Sequence, residues 1–152
     1  NGLSPRTAEK LVDLPLAGLE VSGAGGTSWS KIEAHRADDD GTMAPFADWG
    51  ESTADSILAA RDVLPAIPLI ASGGIKDGTE IGKALALGAK GTYIGRAYVN
   101  GLGAMGEKGV TKALEVIHKE LDTTMALCGR RDVTTLDRDI LLVPADFEGT
   151  WA

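Results

Sequence analysis

Short apolar runs that end in glycine-rich turns recur along the chain. Three of them, Leu16–Ser22, Leu69–Ser72 and Gly91–Ile94, have the length and composition of buried β-strands. The first runs into Gly23–Thr27, the second into Gly73-Gly74, and the third into Gly95-Arg96. This pattern predicts three strands, each of which feeds a tight turn.

Between and around these runs, apolar residues return at helical spacing. Helices are predicted over Thr7–Leu14, Glu51–Val63, Thr79–Leu87 and Glu107–Cys128. Ser4 and Pro5 are a good N-cap and first residue for the opening helix, whose Leu11 and Leu14 are expected to point inward. The last helix carries an apolar stripe, and we expect Cys128 to be a buried thiol at its end.

The segment from Lys31 to Ala47 lacks such periodicity and is interpreted as a polar excursion over the surface. His35 is expected to face solvent, and Asp38–Asp40 to form a solvated loop because consecutive carboxylates do not converge on one metal ion. His118 is given a structural role only. Trp29 and Trp49 are expected to pack near the mouth of a barrel.

Alternation of strand, glycine turn and helix predicts an α/β fold with a parallel sheet. An open doubly wound sheet and a (β/α)8 barrel both fit. A complete barrel needs about 250 residues and eight units, so a chain of 152 residues with three strands can form only part of one. Such a part leaves an unpaired strand edge, which favours association with further strands.

The composition and net charge exclude several classes of protein. Hydrophobic residues make up 43% and charged residues 24% of the chain, which is typical of a globular domain rather than a disordered one. The net charge of -7 argues against a nucleic-acid-binding surface. Neither an apolar run of about 20 residues nor a signal-peptide pattern is present, and we expect a cytoplasmic protein without a membrane span.

The turns after the second and third strands are candidates for phosphate binding. Parallel α/β folds bind ligands at the carboxyl ends of their strands, and backbone N–H groups near a helix start favour an anion. Lys76 and Arg96 would add positive charge. Alternatively, the glycines only permit tight turns and the cations are solvated. The turns match neither a GxGxxG nor a Walker pattern.

The segments ASGGIKDG at 71–78, KALALGA at 83–89 and Gly95-Arg96 resemble the FMN-phosphate region of the FMN-dependent dehydrogenase superfamily. The resemblance implies a partial (β/α)8 TIM barrel, roughly strands 6–8 with helices 5–8, over 1–152. Residues 1–50 would then form the strand-6 unit and polar excursion, 51–105 the FMN-phosphate turns, and 106–152 the last helix and tail.

Two branches of this superfamily are similar to different parts of the chain. Residues 91–143 resemble α-hydroxy-acid dehydrogenases, whereas residues 1–75 resemble type 2 isopentenyl-diphosphate isomerases. Ala24 and Thr27 stand where the first branch has its histidine base and its arginine clamp. Thr27 and Ser72 instead fit the isomerase pattern, and Lys76 replaces an arginine.

The resemblance therefore implies an FMN-binding half of an isomerase-like enzyme. The expected cofactor residues are Thr27, Ser72, Gly73, Gly74, Lys76, Gly95 and Arg96. No catalytic or metal-binding residue is assigned, and the complete enzyme could also use Mg²⁺ and NAD(P)H. The expected partners are a small-molecule substrate and either the missing half-barrel or a second copy. An α-hydroxy-acid dehydrogenase, a non-catalytic phosphate-binding module and an inactive fragment are the alternatives.

Overall fold

A computed structural model describes residues 1–37, 41 and 44–144 of the chain. Three strands and six α-helices follow one another in these residues, with short 3₁₀ segments at Ala44–Phe46, Val133–Thr135 and Arg138–Ile140. In chain order they are α1 (Pro5–Glu9), β1 (Leu19–Ser22), α2 (Trp29–Arg36), α3 (Thr53–Val63), β2 (Leu69–Ser72), α4 (Gly78–Ala86), β3 (Gly91–Thr92), α5 (Arg96–Met105) and α6 (Glu107–Leu127).

The three strands form one parallel sheet in the order β1-β2-β3. Leu19 lies opposite Leu69, and Ile70 lies opposite Gly91. All carboxyl ends therefore meet at one edge of the sheet. The parallel order confirms the α/β class predicted from the alternating pattern.

Helices cover one face of this sheet. Val21 and Leu69 are each 2% exposed and Ala71 is 0% exposed. They pack in one core with Ile57 and Leu58 of α3, Ile81 and Ala84 of α4, and Ile117 of α6. Full burial of each large aliphatic side chain stabilises the fold by about 1.5–3 kcal/mol.

The other face of the sheet carries the alternate residues of the strands. Glu20, Ser22 and Tyr93 are exposed there, while Ile70 and Ser72 are half-buried. Successive side chains of a strand point to opposite faces, so these residues cannot reach the helix-covered core. This face thus remains uncovered over the part of the chain that the structure describes.

The first strand is shorter than predicted, since β1 begins at Leu19 rather than at Leu16. The Leu19 amide donates to the Pro68 carbonyl at 2.9 Å, but Pro68 has no N–H to continue the ladder. The opening helix also ends early, at Glu9, and Leu14 is 48% exposed. The prediction that Leu14 points inward is therefore wrong, because the chain beyond the helix turns along the surface.

Two helices, α2 and α5, were not predicted. Helix α2 overlaps the start of the predicted polar excursion, and Ser28 caps it by accepting the Lys31 amide at 3.3 Å. It has no buried residue, which explains why apolar spacing did not reveal it. His35 is exposed as predicted. The predicted loop at Asp38–Asp40 lies outside the described residues.

Helix α6 matches the predicted last helix within one residue, but its carboxyl end differs from expectation. Gly82 of α4 packs near Thr124, where a Cβ on the glycine would lie 3.4 Å from the threonine methyl group. Cys128 comes one turn later and is exposed. The prediction of a buried thiol is wrong because α6 extends beyond α4, which covers the earlier part of the helix.

None of the helices within the described ranges is long and apolar enough to cross a membrane.

Candidate functional site

A cavity of about 230 Å³ opens at the carboxyl ends of the strands. Six of the seven cofactor residues predicted from the sequence line it, and Lys76 is the exception. The complete lining consists of Ser22, Gly26, Thr27, Trp29, Ser72, Gly73, Gly74, Ile75, Tyr93, Ile94, Gly95 and Arg96. Residues from the turns after all three strands therefore converge on one space.

The glycine turns after β1 and β2 pack backbone against backbone. Gly73 and Gly74 have φ values of 91° and 89°, a region that disfavours other residues. A Cβ on Gly74 would lie 2.6 Å from the Gly25 carbonyl oxygen, and one on Gly26 would lie 2.8 Å from the Gly74 nitrogen. These glycines thus shape the cavity wall by close packing, a role that the sequence interpretation had not assigned to them.

Thr53, the first residue of α3, fixes the β2 turn from behind. Its hydroxyl donates to the Gly73 carbonyl oxygen at 2.5 Å and lies 3.2 Å from the Ser72 carbonyl oxygen. Ser52 caps α3 by accepting the Asp55 amide at 3.1 Å. No local sequence signal reveals the threonine contact, because it joins residues that are 20 positions apart.

Helix α5 begins at the cavity. Its N-cap is Gly95, which has no side-chain hydrogen bond to the first turn. The amino end of a helix carries unpaired N–H groups and a partial positive charge, which together favour an anion. Arg96 adds a full charge, and its Nη2 donates to the Gly25 carbonyl oxygen at 3.3 Å. This contact joins the β3 turn to the glycine turn after β1.

Lys76 lies apart from the other predicted residues. Its Nζ is 2.8 Å from Glu80 Oε1, and its amide donates to Glu80 Oε2 at 2.8 Å. The hydrogen bond and the negative charge of Glu80 raise the pKa of Lys76 above its ordinary value of 10.5. Lys76 is therefore a charged lysine paired with a neighbouring carboxylate, and it lines an adjoining cavity of about 310 Å³ with Gly73 and Gly74.

The turn after β1 brings Thr27 to the cavity lining. Ser28 holds this turn, since its hydroxyl donates to the Ala47 carbonyl oxygen at 3.0 Å. Trp29 follows, lines the cavity and is 70% exposed. Trp49 instead lies against Phe46, with ring centroids 5.9 Å apart. Of the two tryptophans expected near the barrel mouth, Trp29 contributes to this cavity.

The lining favours binding over acid–base chemistry. Tyr93 and Arg96 are its titratable side chains, and Ala24, which stands in the glycine turn after β1, offers only a methyl group. Within the described ranges, no group of three histidine, cysteine or acidic side chains could hold a metal ion. The arrangement can bind an anionic group through amides and a guanidinium. Tyr93 was not predicted as a site residue. It directly follows β3 and lies on the uncovered face of the sheet.

Proteins named isopentenyl-diphosphate delta-isomerase are similar to nearly the whole chain. The one from Stutzerimonas stutzeri (strain A1501) is 43% identical over 145 residues, which are 93% of this chain and 41% of that protein. The one from Nostoc sp. (strain PCC 7120 / SAG 25.82 / UTEX 2576) is 37% identical over 139 residues, 90% of this chain and 39% of its own length. The chain thus spans about two-fifths of the length of these relatives.

Solved structures of related enzymes share the fold. A chimera of (S)-mandelate dehydrogenase is 29% identical with a TM-score of 0.60, over 91% of this chain and 40% of that one. A mandelate oxidase mutant with the monooxide FMN adduct is 25% identical with a TM-score of 0.66, over 91% and 38%. The predicted partial barrel and the FMN resemblance are confirmed. Since the family model for FMN-dependent dehydrogenase matches residues 3–143, the chain belongs to the FMN-dependent dehydrogenase family.

Proposed function

We propose that this chain forms the part of an FMN-dependent barrel enzyme that binds the cofactor phosphate, and that the enzyme is a type 2 isopentenyl-diphosphate isomerase. One observation carries the first claim. Two glycine turns, the uncapped amino end of α5 and Arg96 meet in a single cavity at the carboxyl ends of the strands. Each of these features favours a phosphate, and their convergence in one cavity supports an anion-binding site there.

The residues of the cavity fit FMN in chemistry. Gly95 and Arg96 would bind the phosphate through the first-turn amides and the guanidinium, and Gly74 would let the backbone approach it closely. Thr27 and Ser72 would offer hydroxyl groups to the remainder of the cofactor. Lys76 lies in the adjoining cavity, and its pair with Glu80 offsets its charge, so it would contribute little to the phosphate while the pair is formed. Bound FMN supplies the redox and proton-transfer chemistry of its flavin ring.

The isomerase assignment has support from sequence. The relatives described above are named isopentenyl-diphosphate isomerases and reach 43% identity. Ala24 and Thr27 also lack the base and the carboxylate clamp that an α-hydroxy-acid dehydrogenase would need. We therefore infer isomerisation of isopentenyl diphosphate to dimethylallyl diphosphate with reduced flavin, with Mg²⁺ and NAD(P)H as requirements of the complete enzyme. The strands outside this chain would come from a longer protein or a second copy.

A second candidate is oxidation of an α-hydroxy acid. Residues 91–143 resemble that branch, and the (S)-mandelate dehydrogenase and mandelate oxidase structures share the fold of this chain. The candidate requires a proton acceptor in place of Ala24. A group from the strands outside this chain would have to supply it.

Titration of the chain with FMN, followed by flavin fluorescence, tests the binding claim. We expect saturable binding, weakened at least tenfold in Arg96→Ala because a charge-assisted contact to the phosphate is lost. Arg6→Ala removes the same charge from the exposed surface of α1 and is expected to change affinity less than twofold. Equal affinities of wild type and Arg96→Ala would contradict the proposal. Equal binding of FMN and glucose 6-phosphate would instead favour a general phosphate-binding module.

The reaction can be tested by fusing this chain to the part of the Stutzerimonas stutzeri isomerase that it does not match. The purified fusion, loaded with FMN, is assayed with isopentenyl diphosphate under reducing conditions and with L-lactate or (S)-mandelate under oxidising conditions. We expect dimethylallyl diphosphate and no reduction of the flavin by either hydroxy acid. Flavin reduction by a hydroxy acid without isomerisation would establish the second candidate.

A further inference from the structure

A carboxylate lies on the uncovered face of the sheet, next to a residue that lines the cavity. Glu20 of β1 accepts a hydrogen bond from the Ser72 hydroxyl of β2. Ser22 lies directly opposite Ser72, and Glu20 lies opposite Ile70, so Glu20 reaches Ser72 along the diagonal of the strand pair. No local sequence pattern reveals this pair, because its members are 52 positions apart.

The location of Glu20 is unusual for a carboxylate. Its neighbours along the strand, Leu19 and Val21, belong to the helix-covered side, so Glu20 points to the opposite face. In a closed barrel that face is the packed interior. A carboxylate there must be satisfied by hydrogen bonds or an opposite charge. In the part of the chain that the structure describes, the Ser72 hydroxyl donates such a hydrogen bond to Glu20.

This hydrogen bond determines what Ser72 can offer to a ligand. A serine hydroxyl has one proton to donate and two lone pairs that accept. Ser72 gives its proton to Glu20, whereas its side chain also lines the cavity with Gly73 and Arg96. It therefore faces the cavity as an acceptor. A phosphate oxygen is also an acceptor and would be disfavoured there, whereas a ligand hydroxyl would donate to it.

We infer that Glu20 is a positioning residue, which holds the Ser72 hydroxyl as an acceptor for a hydroxyl group of the bound cofactor. Glu20 is absent from the cavity lining and acts through Ser72. The phosphate end of the ligand is thereby directed to the turn at Gly95 and Arg96, away from the carboxylate. This inference rests on the proposed binding of FMN and deepens it by giving the cavity two ends of different polarity.

The test compares FMN affinity in Glu20→Ala, Glu20→Gln, Ser72→Ala and the double variant of Glu20→Ala with Ser72→Ala. We expect Glu20→Ala to weaken FMN about fivefold, the effect of one hydrogen bond. Glu20→Gln should recover wild-type affinity within twofold, because its carbonyl oxygen still accepts the serine proton. Glu9→Ala, which removes an exposed carboxylate from α1, is the matched charge control and should change nothing.

Because Glu20 acts through Ser72, the double variant should bind FMN no more weakly than Ser72→Ala alone. The affinity for inorganic phosphate, measured by its competition with FMN, should differ less than twofold between Glu20→Ala and the wild type. The inference is overturned if Glu20→Ala binds FMN like the wild type, if its effect persists undiminished beside Ser72→Ala, or if Glu20→Gln fails to rescue.

Unfolding in urea without FMN tests the pair by itself, with the wild type, Glu20→Ala, Ser72→Ala and the double variant compared. Non-additive shifts of the unfolding midpoints are expected for Glu20→Ala and Ser72→Ala, whereas additive shifts would show that the two side chains do not interact. A wild-type chain that binds no FMN would overturn the proposed function, and this inference with it. Normal wild-type binding with an unaffected Glu20→Ala would overturn this inference alone.

Discussion

The two faces of the sheet differ in what supports them. On one face, Val21, Leu69 and Ala71 are buried beneath α3, α4 and α6. On the other face, Glu20 of β1 and Tyr93, the residue after β3, are exposed. The sheet is therefore half of a layered structure: its outer layer lies within this chain, whereas its inner layer has no counterpart among the described residues.

The difference separates folding from function in this molecule. The covered face supplies the apolar burial that stabilises the fold. The uncovered face and the turns at its edge carry the polar groups that define the cavity, including Ser72 and Arg96. Substitutions on the first face should therefore alter stability, and those on the second should alter ligand binding.

The largest effect on stability is expected from Leu69→Ala, which removes a core side chain that is 2% exposed. The lost burial and the cavity left behind should lower the free energy of unfolding by about 2–5 kcal/mol. Ile70→Ala, the next residue on the uncovered face, should cost less than half as much. Urea denaturation followed by circular dichroism measures both. Equal losses would show that the two faces are supported alike.

Gly74→Ala should have the next largest effect. At φ 89° a side chain is strained, and its Cβ would meet the Gly25 carbonyl oxygen. We expect a loss of about 1–3 kcal/mol in the free energy of unfolding, together with weaker FMN binding. Gly103→Ala in α5 is the control, since a Cβ there meets nothing within 4 Å. It should stabilise the helix by about 0.5–1 kcal/mol. A tolerated Gly74→Ala would contradict the packed arrangement of the two turns.

Thr53→Val should have a smaller effect on stability. It keeps the shape of the side chain but removes the hydroxyl that donates to the Gly73 carbonyl oxygen. The expected loss is about 1 kcal/mol, measured by urea denaturation. Thr79→Val is the control, because its hydroxyl makes only an exposed contact of 3.4 Å with Thr124. Thr53→Val should also weaken FMN binding by loosening the turn, whereas Thr79→Val should not.

The smallest expected effect concerns Lys76. Glu80→Gln removes the charge that holds this lysine, so its ammonium group becomes available to the phosphate, and FMN should bind about two- to threefold tighter at low salt. The gain should vanish in 1 M salt. Unchanged affinity at low salt would show that Lys76 does not reach the ligand.

The Lys76 pair also has a defined pH dependence. Glu80 raises the pKa of Lys76 in the folded chain above the ordinary value of 10.5. The raised pKa means that the contribution of the pair is complete below pH about 10 and is lost as the pH rises through the raised value. Titration of the Lys76 Nζ by NMR should therefore show a higher pKa in the wild type than in Glu80→Gln.

Local signals predicted the elements that pack against the core. Strand β2 was predicted with its observed bounds, and α6 within one residue, because both combine apolar periodicity with glycine stops. Helix α2 was missed because it buries no residue. Helix α5 was missed because its first residue, Arg96, had been assigned to a turn, and it too buries no residue. Periodicity reports burial, so an element on the surface leaves little trace in the sequence.

The site shows the same division. Residues in the glycine turns were identified because parallel strands bring their carboxyl ends together. The contacts of Thr53 with Gly73 and of Glu20 with Ser72 depend on register between distant strands and helices, which no local pattern encodes. The spacing of four residues between Lys76, just before α4, and Glu80 in its first turn is compatible with the observed pair. Spacing alone does not decide whether a lysine pairs with a carboxylate or turns toward a ligand.

The most direct test of the central claim is calorimetric titration of the wild-type chain with FMN and with riboflavin, which differs by lacking the phosphate. If the turns at Gly74 and Gly95 bind the phosphate, FMN should bind at least tenfold more tightly, and the advantage should fall in Arg96→Ala. Equal affinities for FMN and riboflavin would contradict the assignment of this cavity as the phosphate site.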